Sequence, residues 1–378
     1  MARRLMGPEI LPGTREYEWV ASIVAAVERR TGIPSSWNRR LYEERGGMGA
    51  TAEYGGPMTM DRELVLEPVL RAYDATGPLD LEATGWARIG ALTVMHETDH
   101  HQHEVGDEDA PDAVRFLSAE ATVLTEGLAD SNKDRIADLV IKDVGMDKEV
   151  PRILEVHAVM PYAGYQAGVE GVLHGLHKIS GRSPDEVWTA VDRTPFVQRY
   201  NAMADVVINS RLNGLMPPEH RSQIRLRLGR PLKEELAALA AYTADIEPPV
   251  QLAARGRDTG IRAVQRLEQE LGAVEQHYRQ YGEHPPRMPM SPQDRALVQR
   301  IEAHYGRSTA DLDTDHLRQF LGSAPSTGRA AGGGAAGAGA AAGAAASGAA
   351  AAALPPRDAW RVDRARGPAA RKPERGVE

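Results

Sequence analysis

The segment "TGWARIGALTVMHETDHHQHE", residues 84–104, constrains the fold of this chain more than any other stretch. Its first turns are apolar and its end is polar, which predicts a helix that enters from the protein core. Four of the 12 histidines of the chain lie in its last nine residues. The segment is therefore either a solvated, charged helix end or a metal site with a base beside it.

Residues 96–100, "HETDH", match the pattern H-E-x-x-H. On a helix, residues four apart lie on one face, so His96 and His100 can present two imidazoles to one ion. Glu97 is next to the first ligand and can contact a metal-bound water without binding the metal itself. Zinc lowers the pKa of such a water toward neutrality, and a carboxylate can then accept its proton. The pattern therefore predicts zinc, with Glu97 as general base.

The chain has no cysteine, so disulfides and thiolate ligands are excluded and His, Asp and Glu remain as strong ligands. A second long helix is predicted over residues 114–141, and it offers Glu120 and Glu126 as the third ligand. They lie about 240° apart around the helix axis, so only one of them can face the ion. Small residues surround Glu126, which favours it because two helices can approach closely there. Asp130, one turn later, is predicted to hydrogen-bond a histidine ligand.

"HETDH" followed by "TEGLAD" resembles the gluzincin metallopeptidases, the thermolysin-like and aminopeptidase-like clan. The resemblance covers roughly residues 55–190. It implies a zincin-like fold, a peptide or protein substrate, and zinc bound by His96, His100 and Glu126. Thr125 stands where the clan commonly has Asn. "GGPMTM", which precedes the predicted active-site helix, would suit the edge strand that aligns an extended substrate.

The clan also uses a later Tyr or His to stabilise the oxyanion. Tyr165, at the start of a helix predicted over residues 162–181, is our choice, with Tyr162 and His157 as alternatives. Each of these could instead be an ordinary core or surface residue. Four further histidines are expected to lie outside the site: His101 and His103 as solvated side chains, and His174 and His177 on a helix side.

Two other classes of protein compete with the peptidase reading. Glu97-x-x-His100 is also the pattern of ferritin-like di-iron bundles, which require a second copy of it. Glu170-x-x-x-His174 has the wrong spacing for that copy. The other alternative is a binding or effector protein on a zincin scaffold without peptidase activity, although the complete His-Glu-His set argues against lost chemistry.

The whole chain predicts an α+β fold, mainly helical, with a small sheet before the active-site helix. A strand or hairpin is expected within residues 48–64, ending where Asp61 caps a helix. The expected divisions are an N-terminal helix and small β segment, a helical zinc-binding core, a C-terminal helical extension, and a disordered linker and basic tail: residues 1–80, 81–245, 246–322 and 323–378.

Residues 330–353 contain only Ala, Gly and one Ser, which predicts a flexible linker rather than a membrane span. A docking segment for a partner around Trp360 is the alternative to a disordered end. The formal charge of −8 gives no case for nucleic-acid binding. "MARRLMGPEILPG" lacks the apolar stretch of a signal peptide, so we expect a cytoplasmic protein, with leaderless export left open.

Overall fold

The computed structural model describes residues 6–44, 49–52, 54–116, 118–159, 161–242, 247–282, 284–306 and the strand 361–364. This part of the chain is mostly helical and includes a small mixed sheet, in agreement with the predicted α+β class. Among its helices, none has the length and apolar character that crossing a membrane requires.

Four strands near the N-terminus form the sheet, in the order β1-β2-β4-β3. They are β1 Met6–Ile10, β2 Leu41–Glu44, β3 Ala50–Ala52 and β4 Met58–Asp61. β2 and β4 run parallel, whereas β1 pairs with β2 and β3 pairs with β4 in antiparallel fashion. The hairpin predicted within residues 48–64 is confirmed as β3 and β4.

The assignment of "GGPMTM" to an edge strand is wrong. Met58 to Met60 belong to β4, which has a partner on each side, whereas β1 and β3 are the edges of the sheet among the described strands. Asp61 caps the next turn as predicted, because its carboxylate accepts a hydrogen bond from the Leu64 amide at 2.8 Å. The chain then continues through the helical turn Arg62–Leu66 into α2, Glu67–Asp74.

Helices make up most of the remaining structure. α1 (Arg15–Thr31) ends at Gly32, because this glycine adopts the left-handed conformation with φ 69°. The other helices are α3 Leu81–Gln102, α4 Ala119–Asp143, α5 Met146–Glu149, α6 Ala163–Ser180, α7 Pro184–Asp192, α8 Arg199–Val207, α9 Arg221–Ala237, α10 Pro249–Tyr281 and α11 Pro292–Tyr305. The predicted helices at residues 84–104, 114–141 and 162–181 thus correspond to α3, α4 and α6.

Two hydrophobic clusters form the core, and α4 contributes to both. The C-terminal half of α4, with Val140 and Ile141, packs with the sheet, α1 and α3. Its N-terminal half, with Val123 and Leu124, packs with α6, α8, α9 and α10. Asp130 therefore lies on α4 between the parts that enter the two clusters, and Glu126 lies near the end of the part that enters the second.

Glycines allow α6 and α10 to pack with their backbones almost in contact. A Cβ atom on Gly256 of α10 would lie 2.1 Å from the carbonyl oxygen of Gly164, and one on Gly260 would lie 2.6 Å from that of Gly168. Real Cβ atoms do not approach so closely. The predicted C-terminal helical extension is thus packed directly on the helix that follows the candidate site.

The tail differs from the prediction of disorder at residues 361–364, which form strand β6. β6 pairs in antiparallel fashion with β5, Val156–Val159, so that Val156 is opposite Arg364 and Val159 is opposite Arg361. Both strands lie against α3. Strand pairing uses backbone groups, so a tail poor in apolar side chains can still form it. The Ala/Gly linker and Trp360 lie outside the described residues.

Deleting residues 324–378 is expected to lower the melting temperature by no more than about 3 °C. Four residue pairs join β5 to β6, and hydrogen bonds that each contribute about 1 kcal/mol are largely offset by the entropy of ordering the strand. Deleting residues 365–378 retains β6 and should leave the melting temperature unchanged. Thermal unfolding followed by circular dichroism measures both, and a fall of 10 °C or more in the first variant would overturn this expectation.

Candidate metal centre

The last turns of α3 hold the H-E-x-x-H residues inside the protein. Asp80 begins the helix, since its carboxylate accepts a hydrogen bond from the Ala83 amide at 2.7 Å. The apolar turns that follow are buried, and the burial continues through His96 and Glu97, which are 5% and 8% exposed. The prediction that the motif enters from the core is therefore confirmed, and a fully solvated helix end is excluded.

Three side chains converge on one point between α3 and α4. The Nε2 atoms of His96 and His100 are 3.1 Å apart, and Glu126 Oε2 is 3.0 Å from the first and 3.6 Å from the second. Ligand atoms about 2.0–2.2 Å from a tetrahedral zinc lie roughly 3.3–3.6 Å from one another. The three predicted ligands therefore have nearly the separations that one zinc ion would impose.

A chain of buried polar groups supports His96 from behind. Its Nδ1 atom lies 2.9 Å from Asp130 Oδ1, as predicted, and Lys133 Nζ donates to the same oxygen at 2.9 Å. Asp130 and Lys133 are both almost completely buried. With Nδ1 donating to the carboxylate, Nε2 is the nitrogen of His96 that faces Glu126 and can bind a metal once its proton is displaced.

The ionisation of these groups reflects their mutual contacts. Burial disfavours the charged form of each histidine, but nearby carboxylates outweigh this effect and raise the pKa of both. Asp130 and Glu126 raise the pKa of His96, and Glu126 raises that of His100. Burial likewise opposes ionisation of Glu126, and the two histidines nevertheless lower its pKa. The carboxylate is thus charged and the imidazoles hold protons that a metal ion would displace.

Glu97 differs from Glu126 in its electrostatic surroundings. Burial raises the pKa of its carboxyl, with Glu126 and Asp130 acting in the same direction and the two histidines opposing. A carboxylate with a raised pKa accepts a proton more readily near neutral pH. Glu97 therefore has the property expected of a general base, while Glu126 has that of a metal ligand.

Glycine next to Glu126 explains how a third helix reaches the site. A Cβ atom on Gly127 would lie 2.7 Å from Val169 Cγ2 and 2.8 Å from the carbonyl oxygen of Tyr165. α6 therefore packs tightly on α4 beside the ligand. The "EG" pair of Glu126 and Gly127 is the sequence signal for the close approach of α6 to α4. The small residues around Glu126 indicate part of it.

Tyr162, rather than Tyr165, is in ring contact with the site. Its ring stacks on that of His96 with the centroids 5.8 Å apart, and the ring of Tyr165 stacks on that of Tyr162 with the centroids 5.5 Å apart. Burial, followed by the charge of Glu126, raises the pKa of both phenols. His157 is exposed on β5, opposite Asp363 of β6.

The expectation that His101 and His103 are solvated is wrong, because they are 0% and 5% exposed. The segment after α1 covers the end of α3: the Ser36 amide donates to the carbonyl of His101 at 2.8 Å. Burial lowers the pKa of His101 to about 3. His103 belongs to a second polar cluster with Asp99 and Asp192. The burial of His103 depends on contacts with segments far away in the chain, such as the one that contains Asp192, and the local sequence has no signal for such contacts.

Other side chains singled out in the sequence lie away from the site. Glu120 is half-buried one and a half turns before Glu126, and its carbonyl accepts a hydrogen bond from Tyr200. Glu170, from the di-iron alternative, accepts a hydrogen bond from Ser131 at 3.1 Å. His174 is exposed and His177 is half-buried on the side of α6, as expected.

Comparison of the chain with models of known families, with curated proteins and with solved structures found no match.

The geometry leads to a prediction about the third ligand. Glu126→Ala is expected to weaken metal binding by at least about 100-fold, because a carboxylate ligand is lost, whereas Glu120→Ala should leave it unchanged. Competition of each variant with a chromophoric chelator measures the affinity. If Glu120→Ala releases the metal and Glu126→Ala retains it, the ligand assignment is wrong.

Proposed function

We propose that this protein is a zinc-dependent metallopeptidase of the gluzincin type, with a zincin-like fold. The convergence of His96, His100 and Glu126 on one point, with Glu97 beside them, is the observation that supports this function most strongly. The order of elements also agrees with it: a small sheet, then the helix with H-E-x-x-H, then a helix with the third ligand. The donor set of two imidazoles and one carboxylate is that of catalytic zinc sites.

In this proposal His96, His100 and Glu126 would hold a zinc ion, and the ion would supply a water of lowered pKa and a positive charge for the substrate carbonyl. Asp130 keeps His96 in the tautomer whose Nε2 is free, and Lys133 neutralises Asp130. Glu97 accepts a proton from the attacking water and passes it to the leaving amine. The burial of Glu97 limits competing water and keeps its carboxylate basic.

Tyr162 is the residue that we assign to the carbonyl oxygen of the substrate. Its ring lies on His96, and burial together with the nearby carboxylates raises its pKa, so the phenol remains protonated and can donate a hydrogen bond. Tyr165 then helps to orient Tyr162 by stacking on its ring. This reassigns the oxyanion role from Tyr165 to the residue one turn earlier.

Phenylalanine substitutions separate the two tyrosines. Tyr162→Phe is expected to lower kcat about 100-fold or more with little change in KM, since a donor to the developing oxyanion acts mainly in the transition state. Tyr165→Phe retains the ring stack and should change kcat less than about threefold. Steady-state kinetics on one peptide substrate measures both, and the reverse order of effects would return the role to Tyr165.

A strand for substrate alignment is available beside the motif helix. β3, at one edge of the sheet among the described strands, lies against α3. An extended peptide could add to such an edge through backbone hydrogen bonds. The substrate class that we propose is therefore an extended peptide segment, bound next to the ligand residues.

Metal analysis combined with digestion of a peptide library tests the proposed function. The purified chain, loaded with Zn²⁺, is incubated with the library and the products are identified by mass spectrometry. Zinc-dependent cleavage that a chelator abolishes and Zn²⁺ restores is the expected result. Zinc binding without cleavage would favour the binding-protein alternative, and preferential uptake of two iron ions would favour the di-iron alternative.

A further inference from the structure

A second cluster of potential metal ligands lies beside the candidate metal centre, at the C-terminal end of α3. It consists of Asp99 and His103, one turn apart at the end of α3, and Asp192 at the end of α7. All three side chains are buried, with exposures of 4%, 5% and 7%. One ligand atom from each lies within 4.8 Å of the others. The proposed peptidase mechanism uses none of them.

The hydrogen bonds of His103 fix which nitrogen faces this cluster. Its Nδ1 donates to the backbone carbonyl of Asp99 at 2.8 Å, so Nε2 has the lone pair when the ring is neutral. Nε2 lies 3.2 Å from Asp192 Oδ1. Asp99 Oδ2 is completely buried and has no hydrogen-bond partner, and the close contact of Nε2 with Asp192 Oδ1 does not have hydrogen-bond geometry. Unpaired buried acceptors are costly, and a cation between them would satisfy both.

An outer layer of hydrogen bonds holds both carboxylates. Asn132 on α4 donates to Asp99 Oδ1 at 2.8 Å and to Asp192 Oδ1 at 2.7 Å. The indole of Trp188 donates to the amide oxygen of Asn132 at 2.9 Å and thereby fixes its orientation. Such an outer layer is typical of metal sites, where it orients the ligating carboxylates.

The local charge also leaves room for a cation. The guanidinium of Arg199 is completely buried and lies over the ring of Phe196. Burial lowers its pKa, and the negative charges of Asp192 and Asp99 oppose this by favouring its charged form. Two carboxylates and one guanidinium leave a net charge of −1. Either a proton on His103 Nε2 or a metal ion can compensate it, and these two occupants are the alternatives to be separated.

We propose that Asp99, His103 and Asp192 bind a second divalent transition-metal ion. One imidazole nitrogen with two carboxylate oxygens suits Zn²⁺, Mn²⁺ or Co²⁺. The burial of all three ligands indicates a closed, structural site rather than a catalytic one. The ion would join α3 to α7 and, through Asn132, to α4, and would hold the last turn of α3, on which His100 lies. The inference does not depend on peptidase activity.

Phe196 keeps this site apart from the first. Its ring centroid is 6.4 Å from that of His100 and 6.0 Å from that of His103, so it contacts both histidines. In a two-metal catalytic centre, bridging ligands hold the ions about 3.5–4 Å apart. No described side chain is shared between the two candidate ligand groups. Two separate ions are therefore expected, each removable without the other.

Metal stoichiometry of the full-length chain tests the proposal. Metal-free protein is loaded with Co²⁺, excess ion is removed by gel filtration, and bound cobalt is measured by mass spectrometry and visible absorption. We expect two Co²⁺ per wild-type chain and one in His96→Ala/His100→Ala, which destroys only the first site. Adding Asp192→Asn to that double variant should abolish the remaining binding.

A wild-type chain that binds only one cobalt ion would contradict the proposal. If the wild-type chain binds one Co²⁺ and the double variant binds none, a proton on His103 occupies the cluster and the proposal is wrong. The wild-type count also decides the matter by itself if a variant does not fold. Because the readout is bound metal, a failure of peptide cleavage leaves this test unaffected.

Discussion

Replacing Glu97 with glutamine is expected to lower the rate of peptide hydrolysis by about 10²–10⁴-fold while zinc remains bound. The amide has the shape of the carboxylate but cannot accept the proton of the attacking water. The three ligands are unchanged, so metal content and fold should be retained. The measurement is kcat/KM on a peptide identified from the library digest, together with zinc per chain.

Glu120→Gln is the matched control for this variant. It makes the same chemical change on the neighbouring helix at a carboxyl group that is not among the candidate metal ligands. Its kcat/KM should equal that of the wild type. Full activity of Glu97→Gln with zinc bound would show that another group accepts the proton, and loss of zinc from this variant would place Glu97 among the ligands.

Replacing Gly256 with alanine is expected to destabilise the protein by about 3 kcal/mol or more. The new Cβ atom would lie 2.1 Å from the carbonyl oxygen of Gly164. Because the obstacle is backbone, no side-chain rotation can relieve the clash, and α6 and α10 have to separate. The resulting fall in melting temperature is roughly 6–12 °C.

Gly272→Ala provides the control in the same helix. Gly272 is exposed, and a Cβ atom there would meet no atom within 4 Å. Alanine should therefore stabilise α10 by up to about 1 kcal/mol through its higher helix propensity. Denaturant unfolding of the two variants measures the difference. Equal stabilities would mean that α6 and α10 do not pack as closely as the structure has them.

Much of the helical framework could be predicted because its signals are local. The apolar spacing of α1, α3, α4 and α6 marks these helices, and the stops at Gly32 and Gly181 follow from the left-handed conformation that glycine adopts readily. Helix geometry fixes the angle between Glu120 and Glu126 and so allows only one of them to face the ion, and the small residues around Glu126 favour it. These inferences needed no knowledge of distant contacts.

Features that depend on residues far apart in the chain have no comparable local signal. β1 pairs with β2 across the whole of α1, so neither strand is recognisable alone. The burial of His101 and His103 depends on segments that pack over the end of α3. Tyr162 immediately precedes α6 and Tyr165 lies in its first turn, three residues later, and only the packing against His96 distinguishes them.

Whether His96, His100 and Glu126 bind zinc can be seen in a crystal structure of the zinc-loaded protein, with anomalous differences recorded on both sides of the zinc absorption edge. We expect a zinc peak about 2.0–2.2 Å from the Nε2 atoms of His96 and His100 and from a carboxylate oxygen of Glu126. A zinc-loaded crystal with no peak among these three residues would contradict it.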